Sequence, residues 1–406
     1  MANPIKDPGT SWRDAGTDFI KSEVSGGAVL LVAAVAAMLW ANAPFGDSYE
    51  SFWQTKLTLG FGQLAITEDL QHWVNDALMV FFFFVVGLEI KRELVVGELN
   101  ERSKALLPLI AAIGGILVPG LIFLSLNLGG VGEGGWAIPM ATDIAFAVAV
   151  LALLGKRIPS GVRLLLLSIA IIDDVIAILI IAIFYSKDIS MVWLAAGAAG
   201  ILIVYLMQRF GVSRIWPYWA IGIVVWVAFL SSGVHATIAG VILGLMTPAH
   251  PVKGRHVIED LERQLHPWTS MVIVPLFALA NAGIVISASI LADATASMIF
   301  WGVALGLVFG KVIGIGFGIS IAQRFGWGTT PDGVTSSHAW GVAALGGIGF
   351  TVSLFIAELS FENEQLLEYA KIGIFTGSIV SALIGVFLLT RRRSKAGAEV
   401  DRAAGP

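Results

Sequence analysis

The sequence predicts an all-α polytopic membrane protein of about 12 transmembrane helices, with a small periplasmic β-hairpin. Of its 406 residues, 57% are hydrophobic and only 13% are charged, whereas soluble domains carry about 25% charged residues. Repeated apolar runs are long enough to cross a bilayer, which takes about 20 helical residues. The chain has no cysteine, which excludes disulfides and thiolate metal sites.

Twelve apolar segments are predicted to cross the membrane. With the N-terminus in the cytoplasm, 21 of the 25 Lys and Arg residues fall on the cytoplasmic side and three on the other, and the remaining one, Lys311, lies in the middle of a segment. Such asymmetry follows the positive-inside rule and indicates that both termini are cytoplasmic. The segments are 26–42, 73–90, 105–126, 136–154, 161–185, 191–209, 216–231, 234–248, 268–287, 298–322, 337–357 and 368–390.

These segments divide the chain into three parts. We expect a cytoplasmic N-terminal segment over 1–25, a single transmembrane domain over 26–390 and a charged cytoplasmic tail over 391–406. The first outward connection is long, and polar and apolar residues alternate in it before Gly60 and Gly62. That pattern predicts a β-hairpin at about 50–66. An open strand edge favours pairing with a second copy, so a homodimer through the hairpin is predicted.

Two adjacent carboxylates, Asp173 and Asp174, stand in the middle of the apolar run 164–184. An ionised group there costs several kcal/mol unless it faces water, a cation or a partner. The pair therefore predicts a site inside the membrane that binds cations or protons. Lys311 also lies among apolar residues and glycines, as a counter-charge to a buried carboxylate, as part of the ion pathway, or both.

The fourth and eleventh segments are predicted to be broken at the membrane midplane. Pro139 precedes Thr142 and Asp143 in one, and the other has three glycines in the four positions 346–349; both features weaken helices. Each is the middle of a three-helix group, which predicts inverted repeats of helices 3–5 and 10–12. Asp143 would compensate the exposed helix N-termini and Lys311 the C-termini. Alternatively, the glycines only permit close packing.

Several stretches, in order along the chain, resemble the NhaA-type sodium/proton antiporters. Together they are specific to that family, although each is short. They are Trp73–Met79, Gly87–Glu93, Ala141–Phe146, Ile171–Asp174, Ser232–Ala236, His266–Trp268, Pro275–Phe277, Asn281–Gly283, Gly310–Lys311 and Gly347–Thr351.

The resemblance implies a secondary active antiporter, not an enzyme, in the bacterial inner membrane. Such a protein exports Na⁺ or Li⁺ in exchange for protons, electrogenically and under pH control, in sodium and pH homeostasis, and it forms a homodimer. Its partners are the ions and the lipid bilayer, with no nucleic acid, and no cofactor is expected. Its core bundle would comprise about 105–185 and 298–390, and the remaining helices would form the interface.

The resemblance also assigns roles to individual residues. Asp174 is the expected direct ligand of Na⁺ or Li⁺, and Asp173 is a second ligand or the partner of Lys311. Asp143, Thr142 and Lys311 are expected to compensate helix dipoles and support the site. The residues expected in the cytoplasmic funnel and pH response are Glu89, Glu93, Glu262, His266 and His235.

One position departs from the family pattern. Well-studied members carry a histidine directly after the acidic residue at Glu262, and this chain has Arg263. Because arginine does not titrate near neutral pH, a different pH profile is expected.

Simpler interpretations and rival functions remain. His235 could be a packing histidine, and the other funnel residues could belong to solvated helix ends. A sodium-coupled symporter would need more polar side chains for an organic substrate, and a channel would not need paired carboxylates. An intramembrane aspartyl protease would need its two aspartates on separate helices.

Overall fold

The computed structural model describes residues 8–60, 65–155, 158–212, 214–252 and 254–391, with side chains described from Ser25 onward. Most of these residues are helical, because a backbone inside a bilayer must satisfy its hydrogen bonds internally. In the first half the elements are α1 (Pro8–Ala41), α2 (Asp47–Trp53), β1 (Lys56–Leu59), β2 (Ile66–Asp69), α3 (Leu70–His72), α4 (Met79–Val95), α5 (Arg102–Asn127), α6 (Ile144–Leu153), α7 (Ser160–Phe184) and α8 (Met191–Arg209).

The second half of the described chain is also helical. Its elements are α9 (Trp216–Ser232), α10 (Thr237–Met246), α11 (Val257–Trp268), α12 (Val274–Asn281), α13 (Ala288–Ala296), α14 (Met298–Leu305), α15 (Lys311–Arg324), α16 (Ser336–Leu345), α17 (Phe350–Ser360) and α18 (Glu364–Thr390). Short π-helical stretches join α3 to α4, α11 to α12 and α14 to α15. The 3₁₀ segments are Glu98–Asn100 and Glu133–Met140.

Seven helical stretches in the described part of the chain are long and apolar enough to cross a membrane, or eight if the bent pair α16 and α17 forms one span. Three shorter apolar helices, Ser25–Ala41, Trp216–Ser232 and Thr237–Met246, accompany them. The protein is therefore a multi-pass membrane protein of mostly helical structure. The exact count of twelve spans and the inverted repeats stay predictions.

The β-hairpin exists, but the prediction placed it too early. Its strands pair antiparallel from Lys56↔Asp69 to Leu59↔Ile66, whereas 47–53, partly inside the predicted hairpin, forms α2. Two aromatic residues of this helix, Tyr49 and Trp53, are buried, whereas Phe52 is exposed. That burial needs the 3.6-residue period of a helix rather than the alternation of a strand.

Two other boundaries differ from the prediction. The first helix begins at Pro8, so part of the predicted segment 1–25 is helical. The ninth predicted segment ends early, because the helix stops at Asn281, where Tyr49 Oη accepts a hydrogen bond from the Gly283 amide at 3.1 Å. The predicted tail 391–406 lies outside the described residues beyond Arg391.

Glycine contacts set the position of α15 against α5. A Cβ on Gly314 would clash with the carbonyl oxygen of Gly114, and one on Gly114 would clash with that of Gly314. The two backbones therefore approach as closely as only glycine allows. This contact lies one turn from Lys311 and holds that residue, which has no exposed surface, in the centre of the protein.

Candidate functional site

The two broken helices cross and complete each other's backbone hydrogen bonds. After the 3₁₀ segment Glu133–Met140 the chain is extended until α6 begins at Ile144, and α16 and α17 meet at a bend of 43°. The Asp143 amide donates to the carbonyl of Ile348 at 2.6 Å. Ser353 Oγ donates to the carbonyl of Ile138 at 2.7 Å. Each break therefore satisfies polar groups that the other frees.

The Asp143 carboxylate lies at the N-termini of two helices, α6 and α17. Its Oδ1 accepts from the Phe146 amide at 3.0 Å, and its Oδ2 accepts from the Thr351 amide at 3.0 Å and the Thr351 hydroxyl at 2.6 Å. A carboxylate offsets the partial positive charge of a helix N-terminus. This placement is the one expected for the dipole compensation predicted at Asp143, which stays a prediction as a role in transport.

Lys311 makes a fully buried ion pair. Its Nζ donates to Asp173 Oδ2 at 2.7 Å and to Thr142 Oγ1 at 3.1 Å, and the exposed fractions of the two charged side chains are 0% and 1%. The Thr142 hydroxyl in turn donates to the carbonyl of Gly346, at the C-terminus of α16, at 2.8 Å. Lys311 therefore neutralises Asp173 and reaches a helix C-terminus through Thr142.

Asp174 faces a different environment from its neighbour. It lines a cavity of about 120 Å³, whose wall also includes Asp143, Glu89, Glu93 and His266. Consecutive helical residues project about 100° apart, so Asp173 can contact Lys311 while Asp174 contacts the cavity. A carboxylate at the inner end of an acidic cavity can hold a proton or a hard cation, which prefers oxygen ligands.

The rim of this cavity is held by an ion pair between α4 and α11. Arg92 Nη1 lies 2.5 Å from Glu262 Oε2, and Arg92 Nη2 lies 3.4 Å from Glu93 Oε1. Glu262 and His266 are both buried. Burial raises the pKa of Glu262 above its ordinary value, and Arg92 and His266 oppose that effect. Four of the five predicted funnel residues therefore meet at one place: Glu89, Glu93, Glu262 and His266.

Comparisons with known proteins agree with this geometry. The family described as Na⁺/H⁺ antiporter 1 matches residues 17–389. The chain belongs to that family. It is 45% identical over 378 residues to a protein of Klebsiella pneumoniae named Na(+)/H(+) antiporter NhaA 1, covering 92% of this chain and 95% of the relative.

Other relatives match over a similar length. A protein of Shewanella pealeana named Na(+)/H(+) antiporter NhaA is 43% identical, covering 94% of this chain and 98% of that protein. One of Proteus mirabilis with the same name is 45% identical, covering 91% and 95%. The resemblance predicted from short stretches is therefore confirmed along nearly the whole chain, and the match spans both broken segments and both carboxylates.

His235 does not lie with the other predicted funnel residues. Its Nδ1 is 4.0 Å from Asp76 Oδ1, and its ring packs against Phe355, with centroids 5.6 Å apart. Asp76 precedes Glu89 by 13 residues along one helical stretch, about 20 Å at the rise of an α-helix. His235 therefore lies near the start of the helical stretch Leu70–Val95 and away from Glu89, and its role in the pH response stays a prediction.

Three participating residues were not assigned roles from the sequence. Thr351 gives two hydrogen bonds to Asp143, Arg92 pairs with Glu262, and the Ser378 hydroxyl accepts from the Gly349 and Phe350 amides at 3.3 Å. Thr351 and Arg92 lie within the stretches that resemble the family, so the sequence offered a signal for both residues. Ser378 lies on α18, far along the chain, and no local pattern links it to the break.

Proposed function

We propose that this protein exchanges cytoplasmic Na⁺ or Li⁺ for protons, with Asp174 as the cation ligand and Asp173 as its partner group. The single observation that carries the proposal is the division of two adjacent carboxylates. Asp174 opens to the acidic cavity, while Asp173 is neutralised by Lys311. The names of the family and of its relatives support the same reaction.

The exchange follows from competition for the same oxygens. A protonated Asp174 no longer attracts a cation, and a bound cation displaces the proton. We assign a second proton to the Asp173–Lys311 pair. The buried ion pair breaks either when the Asp173 carboxylate gains a proton or when the Lys311 ammonium loses one. Two protons for one cation would make each cycle electrogenic. Asp143 and Thr142 would keep the two broken helices together while the site changes its exposure.

The proposal includes the whole architecture predicted from the sequence. Twelve spans, inverted repeats of helices 3–5 and 10–12, and a core of about 105–185 and 298–390 would place the site at the midplane of the bacterial inner membrane. Both termini would be cytoplasmic. The exposed strands β1 and β2 would supply the edge through which a homodimer forms, and the funnel residues would control activity by pH.

The test uses everted membrane vesicles with an acidic interior reported by a pH-sensitive dye. Addition of Na⁺ or Li⁺ should dissipate the gradient with the wild type, whereas Asp174→Asn should give no cation-driven signal between pH 6.5 and 9. Asp293→Asn is the matched control, because it removes a carboxylate that is exposed on the outer helix α13, and it should behave as the wild type.

Each other outcome is informative. Exchange that survives in Asp174→Asn would overturn the assignment of the ligand. If the wild type dissipates no gradient at any pH in that range, the exchange proposal is wrong, and a sodium-coupled symporter of an organic solute becomes the function to test.

A further inference from the structure

Ser168 is a mostly buried residue whose side chain lines the same cavity as Asp174. It is 8% exposed, and it lines the cavity beside Glu89 and His266. Among the residues that the structure describes, no hydrogen-bond partner of its hydroxyl is found. The hydroxyl oxygen is not fully enclosed, so it is open to water or to an ion in the cavity.

Other serines in the apolar helices behave differently. Ser320 and Ser360 each donate to the carbonyl four residues earlier, at 2.8 and 2.6 Å. This local bond is the usual way in which a helical serine satisfies its hydroxyl. Ser168 has the same option on α7 and does not take it, so its oxygen is left free for a ligand in the cavity.

The position of Ser168 lies on the way to Asp174. Residues 168, 171 and 174 recur every three residues on α7, so each lies close to the next around the helix, and all three line the cavity. Ser168 is about 9 Å from Asp174 along the helix axis, at 1.5 Å per residue. Ile171, between them, has no oxygen in its side chain, so Ser168 and Asp174 carry the side-chain oxygens of these three positions.

We propose that Ser168 is a cation ligand on the approach to Asp174, where its hydroxyl oxygen replaces one water of a partly dehydrated Na⁺ or Li⁺. A neutral oxygen suits a transient position, because an ion must bind well enough to enter and weakly enough to leave. This inference rests on the proposed cation/proton exchange and adds a second coordination point to it.

The test compares the dependence of exchange on cation concentration in three variants. Ser168→Ala should raise the apparent KM for Na⁺ and Li⁺ by about two- to tenfold, the effect of losing one neutral polar contact. Its rate at saturating cation and its pH profile there should equal those of the wild type. Ser168→Thr retains the hydroxyl and should restore the KM. Ser320→Ala, whose hydroxyl is bonded within α15, should leave the KM unchanged.

The outcomes separate this inference from the proposed function. A wild type without any Na⁺-driven proton flux overturns both. Flux in the wild type with an unchanged KM in Ser168→Ala overturns the role of Ser168 alone. The same is true if Ser168→Ala lowers the saturated rate and Ser168→Thr fails to restore it, since that result indicates a structural role.

Discussion

Asp173 and Asp174 are neighbours in the sequence, yet the structure gives them opposite surroundings. Asp173 is enclosed with Lys311, and the ammonium group also contacts Thr142. Asp174 opens to a cavity whose wall carries Glu89, other acidic groups and His266. The difference shows how one helix can hold a neutralised carboxylate and an available one, because 100° of rotation separates successive side chains.

The difference also divides the site into a closed half and an open half. The closed half consists of Asp173, Lys311 and Thr142, and it depends on internal partners. The open half consists of Asp174 and the cavity with its rim, and it depends on what enters from outside. Substitutions in the closed half should reduce stability and also remove the second proton of the exchange, whereas substitutions in the open half should mainly change ion or pH dependence.

Breaking the closed half should have the largest effect on stability. Lys311→Gln leaves the Asp173 carboxylate buried without its counter-charge, and loss of one partner of a buried pair costs about 3–5 kcal/mol. We expect the midpoint of thermal unfolding in detergent to fall strongly. The double variant Asp173→Asn with Lys311→Gln removes both charges and should recover most of that stability.

Lys104→Gln provides the control, because its ion pairs with Glu98 and Glu101 are exposed and such pairs contribute about 0–1 kcal/mol. If the double variant is as unstable as Lys311→Gln, the two groups do not stabilise each other and the closed half is defined wrongly.

The joint between the two broken helices should show the next largest effect. Thr351→Val removes the hydroxyl that donates to Asp143 at 2.6 Å while keeping the backbone donor. A hydrogen bond to a charged group contributes about 1.5–3 kcal/mol, so the free energy of unfolding should fall by that amount. Thr351→Ser keeps the hydroxyl and loses only the methyl group, so it should retain most of the stability; a larger loss in Thr351→Ser than in Thr351→Val would show that the methyl group contributes more than the bond.

Much of this site was predictable from local sequence. Asp173, Asp174 and Lys311 are conspicuous because an ionised residue in an apolar run needs an explanation. Pro139 and the glycines at 346–349 located both breaks. Helix boundaries followed from hydropathy to within a few residues in most of the predicted segments.

The expectations from the sequence that differ from the structure concern features that depend on contacts between residues far apart in the chain. Tyr49 is buried against the C-terminal end of α12, and part of the predicted hairpin is helical instead. Local sequence does not show this burial, because it depends on the whole fold. His235 lies near Asp76 rather than near Glu89, a position that depends on the packing of α10 against α4. The hydrogen bonds of Thr351 and Ser378 join residues far apart in sequence, so no local sequence pattern predicts them.

The rim of the open half should show a pH effect of known sign. Burial raises the pKa of Glu262 in the folded protein, so the folded state binds this proton more tightly than the unfolded chain does. The stabilising contribution is therefore complete below about pH 4.3, the ordinary pKa of glutamate, and is lost as pH rises through the raised pKa.

Glu262→Gln lacks this titration. The difference in unfolding midpoint, wild type minus variant, should decrease as pH rises through that window and then stay constant. The measurement is thermal unfolding in detergent at a series of pH values. A difference that increases with pH would mean that the pairing with Arg92 outweighs burial and lowers the pKa instead.

The smallest effect is expected just outside the rim, at Arg263. The family resemblance predicts a histidine at this position, so the sequence predicted an altered pH profile. Its side chain is 77% exposed and pairs with Asp260 on the same helix at 2.5 Å, whereas Glu262 and His266 are buried. An exposed pair contributes about 0–1 kcal/mol, and the solvent between Arg263 and the cavity screens its charge.

We therefore expect Arg263→His to leave the maximal exchange rate unchanged and to move the midpoint of the pH profile by no more than about half a unit, in the vesicle assay at saturating Na⁺. His266→Ala serves as the comparison, because it changes a buried residue that lines the cavity and should move the profile further. If Arg263→His moves the midpoint of the pH profile further than His266→Ala does, the pH response lies on the exposed face of α11. The open half would then not be the part of the protein that responds to pH.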